Sequence, residues 1–182
     1  MIAVIDTETN WLDQVMSIGV VTAREELLEP AESRYYILTP ETEAGGMYED
    51  RMELARPHLV CSREEAMEDL RDWLNAQGVR EIFAYNARFD QGHLRELSGF
   101  SWFDIMRLAA YRQYNPCICS CADCCSTGRL KRGYGVEPIL GGLMGDCSYR
   151  ETHNAVLDAA DELMIMKLLR QPLACYRDVA GI

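Results

Sequence analysis

Residues 1–10 read MIAVIDTETN. Ile2, Val4 and Ile5 favour extended backbone and polar residues close the run, so the stretch predicts a short buried strand. Asp6 and Glu8 stand two apart on it. Both carboxylates therefore leave one face, while Ile5 and Thr7 leave the other. Acids gather at strand ends for solubility, and they also gather where a cation is held. The pair alone does not separate these readings, but the rest of the chain does.

Outward from this strand, QVMSIGVVTA reads as a second strand across the NWLD loop, and SRYYILT as a third. Together they predict an antiparallel meander. Residues 39–60 read as an irregular crossing. SREEAMEDLRDWLNAQG then predicts a helix with Ser62 and Glu65 as a capping box and Ala66, Leu70, Trp73 and Leu74 as its inner stripe. REIFAYN predicts a strand, ARFDQGHLRELSG a helix, SWFD a strand and IMRLAAYRQY a helix. VEPILGGLMG is a short helix, and RETHNAVLDAADELMIMKLLRQ a long one with Val156, Ala160, Leu163, Met166 and Leu169 inward. The order predicts an α/β fold: a mixed five-stranded sheet flanked by helices, with an antiparallel edge and parallel crossovers.

The 182 residues suit one domain, spanning 1–182, interrupted by a Cys-rich insertion at about 115–134. No apolar run reaches 18 residues, so no membrane span is expected. The apolar start is too short for a signal peptide, which makes a cytoplasmic protein the expectation. The net charge of −11 is uneven: residues 1–84 carry −11, residues 85–150 carry +2, and residues 151–182 carry −2. Contacts with a phosphate polymer therefore belong on the 85–150 side, or depend on bound cations.

Three further residues join Asp6 and Glu8. Asp90 lies in AYNARFDQGHL, just after the fourth strand, and His153 and Asp158 lie in THNAVLDAADE. Five positions on a helix separate side chains by about 140°, so His153 must sit at or before the first turn if it is to converge with an inward Asp158. Four carboxylates can hold two divalent cations, and hard oxygen ligands select Mg2+ or Mn2+. A nearby imidazole suits proton removal from an attacking water.

These residues resemble the three motifs of the DEDDh 3′–5′ exonucleases, a superfamily with a ribonuclease H-like fold that includes ribonuclease T, oligoribonuclease and the proofreading subunit of DNA polymerase III. DTET carries Asp6 and Glu8, NARFD carries Asp90, and HNAVLD carries His153 and Asp158. The resemblance covers nearly the whole chain in the expected order. It implies a phosphodiester hydrolase acting on single-stranded DNA or RNA 3′ ends and releasing nucleoside 5′-monophosphates. It further implies that Asp6 binds both metals, that Glu8 binds one near the terminal 3′-hydroxyl, and that Asp90 holds the second largely through water. Asp158 would hold the metal at the attacking water, and His153 would be the general base. A protein partner or a homodimer is an expectation by the same analogy.

The substrate side departs from the family. Asn10 and Trp11 follow DTET where a small Thr-Gly pair is common. Trp11 either stacks on a base or packs on the hairpin. Thr7 and Asn86 belong to the same substrate side, and Asn86 also suits bracing the loop that carries Asp90. Phe89 and Leu157 read as core supports. In CICSCADCCSTGRLKRGY, Cys119, Cys121 and Cys124, with Cys147 beyond it, are candidate ligands for one structural Zn2+; free thiols are the rival. Arg129, Lys131 and Arg132 either grip phosphates or form a solvated basic turn. A different class of function, a non-catalytic adaptor using the Cys-rich segment for contacts, would keep the fold without needing all four acids and His153.

Overall fold

The computed structural model describes residues 1–55 and 57–179. Strands β1 (Ile2–Thr9), β2 (Val15–Arg24) and β3 (Glu29–Leu38) form the antiparallel meander. Strand β4 (Leu59–Cys61) pairs parallel to β3, and helix α1 (Arg63–Ala76) returns the chain to β5 (Glu81–Ala84), which lies parallel to β1. Helix α2 (Arg88–His93) leads to β6 (Ser101–Asp104), parallel to β5. Helices α3 (Met106–Ala109), α4 (Val136–Met144), α5 (Ala155–Leu169) and α6 (Leu173–Val179) follow. The sheet order is β4-β3-β2-β1-β5-β6.

The sheet therefore has six strands rather than five. The added one, β4, is a three-residue edge strand following Pro57, too short to show a pattern in sequence. Strand β3 starts at Glu29, four residues earlier than expected, because Leu28 takes a left-handed φ of 50° and closes a tight turn behind an acidic, Pro-containing run. The helix expected over 87–99 is α2 plus a separate 3-10 turn, Arg95–Leu97, broken at the non-helical Leu94. Helix α3 stops at Ala109, and α6 was not legible because it follows Pro172 directly. Ser62 and Glu65 make both halves of the capping box: Ser62 N–H donates to Glu65 Oε2 at 2.9 Å, and Glu65 N–H to Ser62 Oγ at 3.3 Å.

Strand β1 is central, so both of its faces are covered. Ile2 and Val4 pack with Phe83, Leu163 and Met166 on the α5 side. Ala3 and Ile5 pack with Leu70, Leu74 and Ile82 on the α1 side. Asp6 and Glu8 continue the Ile2–Val4 face and so emerge toward α5.

Register explains why α5 lies where it does. Asp6 pairs with Gly19, and Gly19 with Tyr35, so one row crosses three strands on the α5 face. Gly19 leaves the gap in that row. A Cβ there would lie 2.0 Å from Val156 N and 2.1 Å from the Ala155 carbonyl carbon, so the start of α5 rests directly on glycine backbone beside Asp6. Tyr35 closes the row by accepting a hydrogen bond at its hydroxyl from Asn154 Nδ2 at 3.2 Å. Gly19→Ala is expected to cost about 3 kcal/mol and about 10 °C of Tm, since backbone rather than a mobile side chain must give way. It should also depress activity by moving Asp158. A melting curve matching the native one would show that the helix does not rest on this glycine.

Candidate active site

Strand β1, helix α2, helix α5 and the segment just before α5 carry the five predicted residues. One ligand atom from each of Glu8, His153 and Asp158 lies within 4.8 Å of the others. Asp158 is 2% exposed and accepts the N–H of Asn154, the residue before α5, at Oδ2, 2.8 Å. Its Oδ1 is buried and has no hydrogen-bond partner. Asp90 approaches from the α1 side of the sheet and accepts the Thr7 hydroxyl at 2.7 Å. Thr7 thus ties the end of β1 to Asp90.

His153 does precede the helix, as convergence required. It takes a left-handed φ of 57°, two residues before Ala155 opens α5. Its ring stacks on Tyr48, with centroids 3.8 Å apart and planes 8° from parallel. The chain around it is fastened by Arg51 Nη1 donating to the Thr152 carbonyl at 3.0 Å, and by buried Asn154 donating to the Arg51 carbonyl at 2.8 Å. Tyr48, Arg51 and Asn154 were not legible as site residues, because they act through stacking and backbone contacts across about a hundred positions.

Electrostatics show how close the acids are. Burial first, then the charges of Glu162, Asp90, Glu8 and Asp158, raise the Asp6 carboxyl well above its ordinary range, although Asp6 keeps part of its surface open. Burial, then Glu151 and Asp90, push Glu8 up to about 7. Burial pushes Asp90 to about 7, partly opposed by the Thr7 hydrogen bond. Burial, then Glu151 and Glu8, push Asp158 to about 8. Burial first, then Arg51, lowers His153 below its usual value, which leaves it a neutral imidazole near neutral pH. Glu162 is a fifth acid the sequence reading missed. It lies one turn beyond Asp158, and the spacing was the available signal.

This donor set fits divalent cations: hard oxygens, one imidazole, a buried carboxylate oxygen without a partner, and mutual repulsion that positive charge relieves. Without metal, the folded acids hold protons that the unfolded chain, with carboxylates near 4, releases. Between about pH 4 and 8 the folded state binds more protons, so stability falls as pH rises. Metal-free protein should melt at least about 5 °C lower at pH 8 than at pH 5.5, and saturating Mg2+ should raise Tm more at pH 8. Calorimetry showing a flat pH profile, or no response to Mg2+, would contradict the cluster.

The substrate-side residues divide. Trp11 is 65% exposed at the hairpin tip, so it does not pack on the hairpin. Asn10 does, with Oδ1 accepting from Leu12 and Gln14 N–H at 2.9 and 3.0 Å. Asn86 is exposed in a left-handed turn, φ 61°, with its N–H donating to Asp104 Oδ1 at 3.0 Å, so it braces the Asp90 loop through backbone. Phe89 and Leu157 are not core supports: they are 40% and 38% exposed. Phe89 lies in a groove of about 860 Å³ beside Asp90, with Arg63, Arg88, His93 and Arg95. In the insertion, Lys131 pairs with Asp123 at 2.8 Å, Arg129 lies over Tyr134 at 5.4 Å, and Arg132 is exposed. The insertion docks near the site through Tyr85 Oη donating to the Tyr134 carbonyl at 2.5 Å.

Cys119 and Cys121 touch, Sγ to Sγ at 2.6 Å, but Cys119, Cys121, Cys124 and Cys147 are not gathered as one ligand set among the described residues. Local turns hold the loop instead, with Ala122 N–H on the Cys119 carbonyl at 3.1 Å and Lys131 N–H on the Asp123 carbonyl at 3.0 Å. Cys147 follows the end of α4 and is exposed. No described helix is long and apolar enough to cross a membrane.

No family model matches the chain, and no curated protein matches it by sequence. Solved structures do. The nuclease domain of 3'hExo, a DEDDh family member bound to rAMP, superposes with a TM-score of 0.59 at 13% identity, covering 91% of this chain and 89% of that one. A 3′-exonuclease in a structure of 3′-end-specific recognition of histone mRNA stem-loop gives 0.62 at 12% identity, covering 94% and 64%. A full-length 3′-exonuclease gives 0.61 at 13%, covering 96% and 82%. The chain has the ribonuclease H-like α/β fold of the DEDDh-family 3′-exonuclease nuclease domains.

Proposed function

We propose that the chain is a metal-dependent 3′–5′ exonuclease that releases nucleoside 5′-monophosphates from single-stranded nucleic-acid ends. The observation that carries this reading is the meeting of Glu8, His153 and Asp158 within 4.8 Å, beside Asp6 and Asp90. The rAMP and mRNA stem-loop bound by proteins of the same fold support a polymer with a free 3′ end.

Asp6, Glu8, Asp90 and Asp158 would hold two Mg2+ or Mn2+ ions. When bound, such ions stabilise negative charge on the attacking and leaving oxygens of a phosphodiester displacement. His153, neutral and oriented by Tyr48, takes a proton from water as the water oxygen bonds to phosphorus. The bond from phosphorus to O3′ of the preceding nucleotide breaks, and that oxygen gains a proton. Thr7 holds Asp90 in place through the displacement. The open ring of Trp11 and the groove with Arg88, Phe89 and Arg95 give the strand stacking and phosphate contacts. Arg129 and Arg132 serve the same strand from the insertion.

The test is a digestion of single-stranded oligonucleotides carrying label at either end, with Mg2+. Immediate release of the 3′ label as a mononucleotide, and a descending ladder from the 5′ label, are expected. Internal cuts, or no products with Mg2+ or Mn2+ from folded protein, would overturn the reading.

A further inference from the structure

Glu162 is 2% exposed, yet it carries a fifth carboxylate toward the acids of the site. It follows Asp158 by four positions on α5, which places both on one face of that helix. Its Oε2 accepts the N–H of Tyr85 at 3.0 Å. Tyr85 is itself buried and follows the last residue of β5, so without Glu162 that N–H would have no water to turn to. The next residue, Asn86, is the left-handed turn, and Asp104 holds its N–H from the other side. Two buried carboxylates thus grip one turn, from α5 and from the end of β6. That turn launches α2, and α2 presents Asp90. With six residues, α2 is too short to set its own position.

A neutral acceptor could satisfy the Tyr85 N–H. A carboxylate there adds repulsion to a crowded anionic site, and bound cations relieve that repulsion. The orphaned Oδ1 of Asp158, buried on the same helix face, marks the space those cations would enter.

We infer that Glu162 is a positioning residue for the metal site: through the Tyr85 N–H it locks the turn carrying Asp90 to the helix carrying Asp158. The two halves of the site come from different elements on opposite sides of the sheet, and this hydrogen bond sets their spacing. The inference rests on the exonuclease reading and deepens it.

The experiment measures Mg2+ dependence of digestion and Mn2+ binding by calorimetry on the chelator-stripped full chain. In Glu162→Ala, the Mg2+ concentration for half-maximal rate should rise about 10-fold, with the rate recovering at saturating Mg2+. Glu162→Gln, whose amide oxygen still accepts the N–H, should stay within about threefold of native. A purely structural role would lower Tm without moving the Mg2+ midpoint. If Glu162→Ala does not fold, Asp104→Ala, which loosens the same turn from the other side, should shift the midpoint in the same direction. An unmoved midpoint in the folded variants overturns the inference, as does a Gln variant as impaired as the Ala variant. A native chain that neither binds Mn2+ nor digests would instead remove the exonuclease reading.

Discussion

Asp6→Ala is expected to lower the rate of 3′-end digestion by about 1,000-fold at saturating Mg2+, equivalent to about 4 kcal/mol of lost transition-state stabilisation. Asp6 feels the charges of Glu162, Asp90, Glu8 and Asp158 together. No other described acid takes up its position, because its partner across β2 is Gly19. The fold should not suffer. Removing one of several mutually repelling carboxylates relieves strain in the metal-free state, so the variant should melt at or above the native temperature at pH 8. Activity and stability then move in opposite directions, as at sites selected for chemistry. Single-turnover rates and melting curves on the same preparations check both. Near-native turnover would remove Asp6 from the mechanism.

His153→Ala should lower turnover by about 10²–10⁴-fold, the range for loss of a positioned general base, with little change in KM. His153 is held before α5 in a left-handed conformation and stacked flat on Tyr48, so its ring has one orientation toward Glu8 and Asp158. Its pKa lies below the ordinary value because burial and Arg51 disfavour the imidazolium. The native rate should therefore rise with pH through a midpoint below about 6.5 and then level. The variant should lack that acid limb. A variant slowed equally at every pH, with the limb intact, would assign the limb to a carboxylate and leave His153 a structural part.

Much of this site was legible because the chemistry resides in residue types at fixed spacing. Asp6 and Glu8 share a face by the period of a strand, and the five-residue gap from His153 to Asp158 required His153 to precede the helix, where it lies. What could not be read depends on long-range placement. Tyr48 reaches His153 across about a hundred positions, and Asn154 is fixed by Tyr35 and by the Arg51 and Met52 carbonyls. Ala160 was expected inward on α5 but is exposed, while Ala155, Ala159 and Glu162 are buried. The helix is covered on more than its apolar stripe because it lies across Gly19, a close approach that sequence periodicity does not encode. Strand β4 went unread because three residues carry no period. The Cys-rich segment shows the same limit, since spacing along the chain does not fix which of Cys119, Cys121, Cys124 and Cys147 meet in space.

The most direct test of convergence is anomalous scattering from crystals soaked in Mn2+. Two peaks about 4 Å apart are expected, one shared by Asp6 with Glu8 and Asp158, and one on the Asp90 side. Crystals that take up Mn2+ elsewhere, or show no peak within about 3 Å of the Asp6 carboxylate, would contradict the account.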